Sequence, residues 1–254
     1  MCRQVPHRPG DRRHPEGVGV HEFMGAVLPG GHTECMSIPP SPESRDSTQW
    51  LDLTENRPGQ AARQKSKELR GAAPFRSALA RVMGVRLEER DWRVGAEGEV
   101  EVARRLRKLK EGWHVIHAVP VGDLGTDIDH VVIGPPGVFS LNTKNHTGNR
   151  VAVTVNGVYV NRQKTLYLEK SRFEGMRASD LLSNACGRTV DVQPLIVVLA
   201  DHLTITVQPP GVYVVGRKFI AKWLSKRPAR LTSQEVEEIF AVARRSSVWR
   251  PGAA

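Results

Sequence analysis

The chain reads as a mixed α/β protein, with one domain over residues 91–250 built on a central mixed sheet flanked by helices, and a disordered N-terminal tail. Three observations predict this. Amphipathic helical stretches alternate with short β-branched runs in the order α-β-β-β-hairpin-α-β-β-α, the pattern of a layered α/β domain. The run Gln193 to Ala200 is almost continuously apolar, as in a strand buried on both faces. Residues 1–60 are rich in Pro, Gly, Ser, His and Arg and show no apolar period, so they bury too little surface to offset the entropy of ordering.

The elements follow in order. Gly95 to Lys110 is a helix, with Val102, Ala103, Leu106 and Leu109 as its apolar stripe and Arg104, Arg105, Arg107 and Lys108 facing outward; Gly112 stops it. Trp113 to Val119 is a strand, followed by Asp127 to Ile133 and Val138 to Lys144, the last two joined at a Pro-Gly turn. Val151 to Asn161 is a hairpin centred on Asn156-Gly157, the pair that favours a type I′ turn. A helix over Lys170 to Cys186 ends at Gly187. After the Gln193 strand come a short strand, Val212 to Val215, and a short helix, Lys218 to Ser225. The final helix opens on the capping box Thr232-Ser-Gln-Glu235, with Leu231 and Val236 placed as a hydrophobic staple.

Residues 61–90 form a basic linker or helical arm. Between Ala61 and Arg81 lie Arg63, Lys65, Lys67, Arg70, Arg76 and Arg81 against the single acid Glu68. That run reads either as a solvated linker or as an arm along a phosphate backbone. Met24, Met36 and Met83 are each alternative starts of the chain. The formal net charge of +10 favours a polyanionic partner, nucleic acid first. Three widely spaced cysteines, Cys2, Cys35 and Cys186, argue against a disulfide framework and against a cysteine zinc site. No apolar run approaches the ~18 residues of a membrane span, and the N-terminus lacks the apolar core of a signal peptide. The expectation is a soluble, cytoplasmic protein.

The chemistry concentrates in Asp127 to Lys144. Asp129 lies near the start of one strand among Ile128, Val131, Val132 and Ile133; the next strand ends in Asn142-Thr-Lys144. Strand periodicity puts Asn142 and Lys144 on one face. A carboxylate, an amide and an ammonium at neighbouring strand ends suit holding a metal ion and a water against a phosphate. Glu99 shares the helix face of Val102, Ala103 and Leu106, whereas Glu97 and Glu101 fall nearer the basic flank, where Glu101 can pair with Arg105. A carboxylate beside a buried face is costly unless paired or metal-bound; the plainer reading of Glu99 is an acid favoured by the helix dipole. Asp129 reads alternatively as a solvated strand-edge acid, and Lys144 as an exposed strand-end lysine. Asp127 is the weaker acid candidate, nearer the loop. His130 and His146 add no recognised metal spacing. Tyr159, Tyr167 and Phe173 are aromatic candidates for base stacking, or for ordinary packing.

Three segments taken in order, Val94-Gly-Ala-Glu-Gly-Glu99, Asp127-Ile-Asp-His-Val-Val-Ile-Gly134 and Gly137-Val-Phe-Ser-Leu-Asn-Thr-Lys-Asn-His146, resemble the NERD (nuclease-related) domain. That family is placed among the restriction-endonuclease-like PD-(D/E)xK nucleases, and the resemblance spans roughly residues 90–200. It implies a restriction-endonuclease-like domain in which Glu99 is the helix acid, Asp129 the metal-binding aspartate and Lys144 the catalytic lysine. The chain departs from the pattern at Asn142, which stands where the family has an acid two residues before the lysine. The implied ligands of Mg²⁺ or Mn²⁺ are then Glu99, Asp129 and the Asn142 amide.

The function expected from these residues and this resemblance is metal-dependent hydrolysis of phosphodiester bonds, in DNA rather than RNA. The alternative is a non-catalytic nucleic-acid-binding module whose site is degenerate at Asn142. A protein-interaction domain with no nucleic-acid role is the third reading. No P-loop or zinc-ribbon motif accompanies the domain.

Overall fold

A computed structural model describes residues 50–60, 63, 85–121 and 126–250, within one compact unit, Ser47–Ala254. Residues 1–49 of the expected tail and 61, 62 and 64–84 of the basic linker lie outside the described residues.

The helices are α1 (Val85–Leu106), α2 (Tyr167–Cys186), α3 (Ile220–Ser225), α4 (Ser233–Ala243) and α5 (Ser246–Trp249). The strands are β1 (His114–Val121), β2 (Thr126–Gly134), β3 (Gly137–Thr154), β4 (Gly157–Val160), β5 (Gln163–Lys164), β6 (Val192–Ile205) and β7 (Tyr213–Gly216). They build one mixed seven-stranded sheet. β1, β2 and the first part of β3 form an antiparallel meander. The last part of β3 pairs with β4, and β4 with β5. Along its other edge β3 runs parallel to β6, which runs parallel to β7. A parallel neighbour requires a crossover, and α2 supplies it between β3 and β6. The mixed α/β fold with helices on both faces is therefore as expected.

The period-two pattern sorts the core into two faces. Val131, Ile133, Val138 and Val192 pack with Ala178 and Leu182 of α2, Val236 and Ile239 of α4 and Trp249 of α5. Phe139, Leu141, Leu195 and Val197 pack with Val102 and Leu106 of α1 and Ile220 and Leu224 of α3. Full burial of each Val, Leu, Ile or Phe among them is worth about 1.5–3 kcal/mol. α4 carries its capping box: Thr232 accepts from the Glu235 amide while its own amide donates to the Glu235 carboxylate at 2.8 Å. α2 ends at Gly187 in the left-handed conformation, φ +64°.

Four expectations change. α1 begins at Val85 rather than Gly95. Glycine is a poor helix former, yet Gly98 lies inside α1 because a Cβ there would sit 3.1 Å from the Asn145 Cβ, and the helix needs that approach to β3. The strand expected to end at Lys144 continues to Thr154; its polar middle pairs with β6 through a register shift between His146 and Arg150. The hairpin at Asn156-Gly157 forms, but its turn is not type I′; the consecutive residues with positive φ are Asn161 (48°) and Arg162 (72°), between β4 and β5. Finally, residues 50–60, expected within the tail, pack on the domain. Leu53 is buried, its amide donates to the Arg244 carbonyl at 2.8 Å, and Asp52 pairs with Arg244. Among the described residues, no helix is long and apolar enough to cross a membrane.

Candidate active site

Asp129 lies where the sheet comes apart. The β2–β3 ladder has its last pair at His130 and Leu141. Beyond it the Thr143 amide donates to the Asp129 side chain, Oδ2 at 2.5 Å, instead of to a β2 carbonyl. On the other side β1 skips the register position opposite Asp129: His117 pairs with His130 and Val119 with Ile128. Between them Ala118 adopts φ 47°, and its carbonyl accepts from Asn56 Nδ2 at 2.9 Å. A non-glycine residue in that region stores of order 1–3 kcal/mol, the kind of strain that gathers at functional sites. The β6 edge of β3 stays paired through Asn142 and Lys144, so both are held rigidly beside the opening.

Glu99 reaches the opening from α1. Its Oε2 accepts the Gly59 amide at 2.9 Å, which explains how a carboxylate sits on the helix's inner face. Gly59 has φ +71°, and a Cβ there would lie 3.0 Å from the Ala96 carbonyl oxygen, so only glycine fits. Burial is the main cause that pushes the Glu99 carboxyl up to about 8; the neighbouring charge of Asp129 adds to it, while the Gly59 amide and Lys144 oppose it. Burial likewise raises Asp129, against the pull of Lys144 and the Thr143 amide. Two acids thus share one poorly solvated site. Glu101, by contrast, binds Arg104 and Arg105 at 2.8 and 3.0 Å on the outer flank.

Position 142 has a carboxylate as its neighbour. Asn142, 7 % exposed, donates through Nδ2 to Glu174 Oε2 at 2.6 Å. Glu174 sits on α2 beside buried Ser171, Gly175 and Ala178. Gly175 sets the distance, since a Cβ there would meet Pro194 Cγ at 2.7 Å, and this close approach of α2 to β6 delivers Glu174 to Asn142. Burial raises the Glu174 carboxyl; Asn142 and Lys144 pull it down, and Asp129 pushes it up. The sequence reading missed Glu174. Its spacing from Ser171, Gly175 and Ala178 is the signal, the same inner-face test that singled out Glu99. Gly59 left no such trace, because its role depends on a tertiary contact with α1, distant in sequence.

Lys144 provides the positive charge that offsets Glu99, Asp129 and Glu174. Its Nζ lies 5.2 Å from the centre of the Tyr167 ring, within cation–π range. Tyr167 in turn hydrogen-bonds His146 Nε2 at 2.9 Å. Asp127 stays peripheral: its field reaches Glu99, and Arg250 tempers it. His130 is fully buried and bonds His117 Nδ1 to Nδ1 at 2.9 Å. Tyr159 lies on β4, and Phe173 is exposed on α2.

Among the described residues, no three His, Cys, Asp or Glu side chains converge into a ready metal cage. Mg²⁺, however, is commonly held by one or two carboxylates with water filling the remaining places. The donor set suits that mode, because the Asp129 charge raises the affinity of Glu99 for a proton, and a cation between them would relieve the same repulsion.

No curated protein and no solved structure gives a match to this chain. Residues 94–199, which hold α1 from Val94, the whole Asp129 opening, α2 and most of β6, match the family model of NERD, the nuclease-related domain.

Proposed function

We propose that this domain is a metal-dependent nuclease that hydrolyses phosphodiester bonds in DNA, with RNA the less favoured substrate. The observation that carries the reading is the convergence on one sheet opening of Glu99 from α1, Asp129 from β2, Lys144 from β3 and the Asn142–Glu174 pair.

Glu99 and Asp129 hold the negative charge that would bind Mg²⁺ or Mn²⁺. When bound, such an ion polarises a phosphoryl oxygen and lowers the pKa of a coordinated water. Lys144 places its ammonium where negative charge develops on the phosphoryl group and orients the attacking water. With its NH₂ group committed to Glu174, Asn142 presents its amide oxygen to that water or to the cation. Glu174 fixes the amide's orientation and supplies the charge that an amide lacks.

A second reading, a nucleic-acid-binding module without catalysis, is favoured by Asn142 itself and by the absence of three converging acids among the described residues. Cleavage of plasmid and single-stranded DNA with Mg²⁺ or Mn²⁺ separates the two. A nuclease cuts as wild type and loses cutting in Asp129→Ala and Lys144→Ala, both still folded. Absence of cutting by the wild type, with salt-sensitive DNA binding retained, would establish the binding module.

A further inference from the structure

Beyond the opening, the far half of β3 joins β4 and β6 in a second concave surface. It is an open hollow of about 840 Å³ lined by Arg150, Ala152, Tyr159, Arg162, His202 and Thr204. The register explains its shape. Ala152 lies opposite Tyr159 on β4 and Thr204 on β6, and Arg150 lies opposite His202. A methyl group at the centre, among larger side chains on strands ~4.8 Å apart, leaves a floor with raised walls.

The lining contains no carboxylate. Arg150 and Arg162 are exposed and, among the described residues, pair with no acid. Arg93, Arg104, Arg105, Arg188 and Arg244 all do. Arg162 also sits at φ 72°, a conformation that costs an L-residue with a Cβ about 1–2 kcal/mol and that glycine would adopt freely. The turn therefore keeps a strained guanidinium at the rim. Asn161, the other positive-φ residue of this turn, is tied in place by the Arg150 amide, which donates to its Oδ1 at 3.0 Å.

We infer that this hollow binds a nucleic-acid strand, with Arg150 and Arg162 on backbone phosphates and Tyr159 against a base or sugar ring. Guanidinium forks match phosphate geometry, and tyrosine faces stack on any base. The proposal takes its ligand class from the nuclease reading. Arg150 is on the same strand as Lys144, at most ~20 Å further along at ~3.3 Å per residue. A bound strand therefore spans several nucleotides between the hollow and the opening.

The test is fluorescence anisotropy in EDTA with the full chain and labelled oligonucleotides of about 16 nucleotides, as single-stranded DNA, single-stranded RNA and duplex. The variants are Arg150→Gln/Arg162→Gln, Arg150→Glu/Arg162→Glu and Tyr159→Ala, each checked for an unchanged Tm. The double Gln variant is expected to weaken binding about tenfold and to flatten the slope of log K against log salt by about 1.4 for a single strand. Charge reversal weakens binding further, and Tyr159→Ala affects the single strands more than the duplex. Wild-type affinity and slope in the double Gln variant would overturn the hollow, as would no binding by the wild type. The nuclease reading fails separately, through absent cleavage, so a chain that binds through this hollow without cutting loses that reading and keeps this one. The ratio of DNA to RNA affinity identifies the strand that the hollow prefers.

Discussion

Asn142 on β3 donates its side-chain amide to Glu174 on α2 at 2.6 Å. A carboxylate thus reaches Asn142 from the crossover helix, through a residue 32 positions away in sequence. Moving the carboxylate back therefore tests whether position or mere presence matters. Glu174→Gln is expected to lower metal-dependent cleavage and Mg²⁺ affinity about 10–100-fold, the usual cost of losing a group that orients a ligand. Asn142→Glu combined with Glu174→Gln returns the acid to β3 and should recover much of that loss. Single-turnover cleavage and calorimetric Mg²⁺ titration read both effects. A double variant as weak as Glu174→Gln alone would show that the charge is not interchangeable between the two positions.

Glu99 couples the site to stability. Its carboxyl is raised from the ordinary 4.5 to about 8, first by burial and then by Asp129. Between those values the native state holds a proton that the unfolded chain has released, so stability falls as pH rises from about 4.5 to 8. In EDTA, Tm should drop across that window, each kcal/mol being about 2–4 °C for a chain of this size. Glu99→Gln should remove the drop. Added Mg²⁺ should raise Tm more at pH 8 than at pH 5, because the deprotonated pair is the form that binds it. Equal Mg²⁺ stabilisation at both pH values would disconnect Glu99 from the cation.

What the sequence disclosed follows how local each determinant is. Helix faces, strand alternation and the capping box at Thr232 are set within a few residues, and the mixed sheet follows from them. Glu99 and Asp129 were legible because each sets a carboxylate among apolar residues of its own element, and Lys144 through the order of the three segments; the structure brings all three to one opening. Glu174 breaks the pattern of α2 in the same way, but its partner is fixed by the close packing of Gly175 on Pro194, a tertiary contact. The Gly59–Glu99 bond spans 40 residues and includes a segment whose composition suggests disorder. The polar stretch Asn145 to Arg150 looks like a loop until β6 pairs with it.

His130 gives the opposite pH dependence to Glu99. It is fully buried, and burial, with His117 adding to it, lowers its imidazole from 6.5 to about 3. In that window the unfolded chain binds a proton that the native state refuses, so stability falls as pH drops from about 6.5 towards 3. His130→Leu should flatten the acid limb of a Tm-against-pH curve while leaving its alkaline limb to Glu99. An acid limb as steep as in the wild type would place the acid sensitivity in other groups.

Gly59 ties the N-terminal strap to the site acid, which makes it a sensitive probe of the whole arrangement. Alanine there must hold φ +71° and place its Cβ 3.0 Å from the Ala96 carbonyl oxygen. The backbone penalty alone is about 1–2 kcal/mol, and relieving the crowding pulls the strap away from α1. Glu99 then loses the amide hydrogen bond that opposes its upward shift. Gly59→Ala should therefore lower Tm and also move the acid limb of the cleavage rate to higher pH, because Glu99 keeps its proton longer. The second effect separates the site from simple destabilisation: a variant with lowered Tm but an unmoved pH profile would show that the strap holds the fold without tuning the acid.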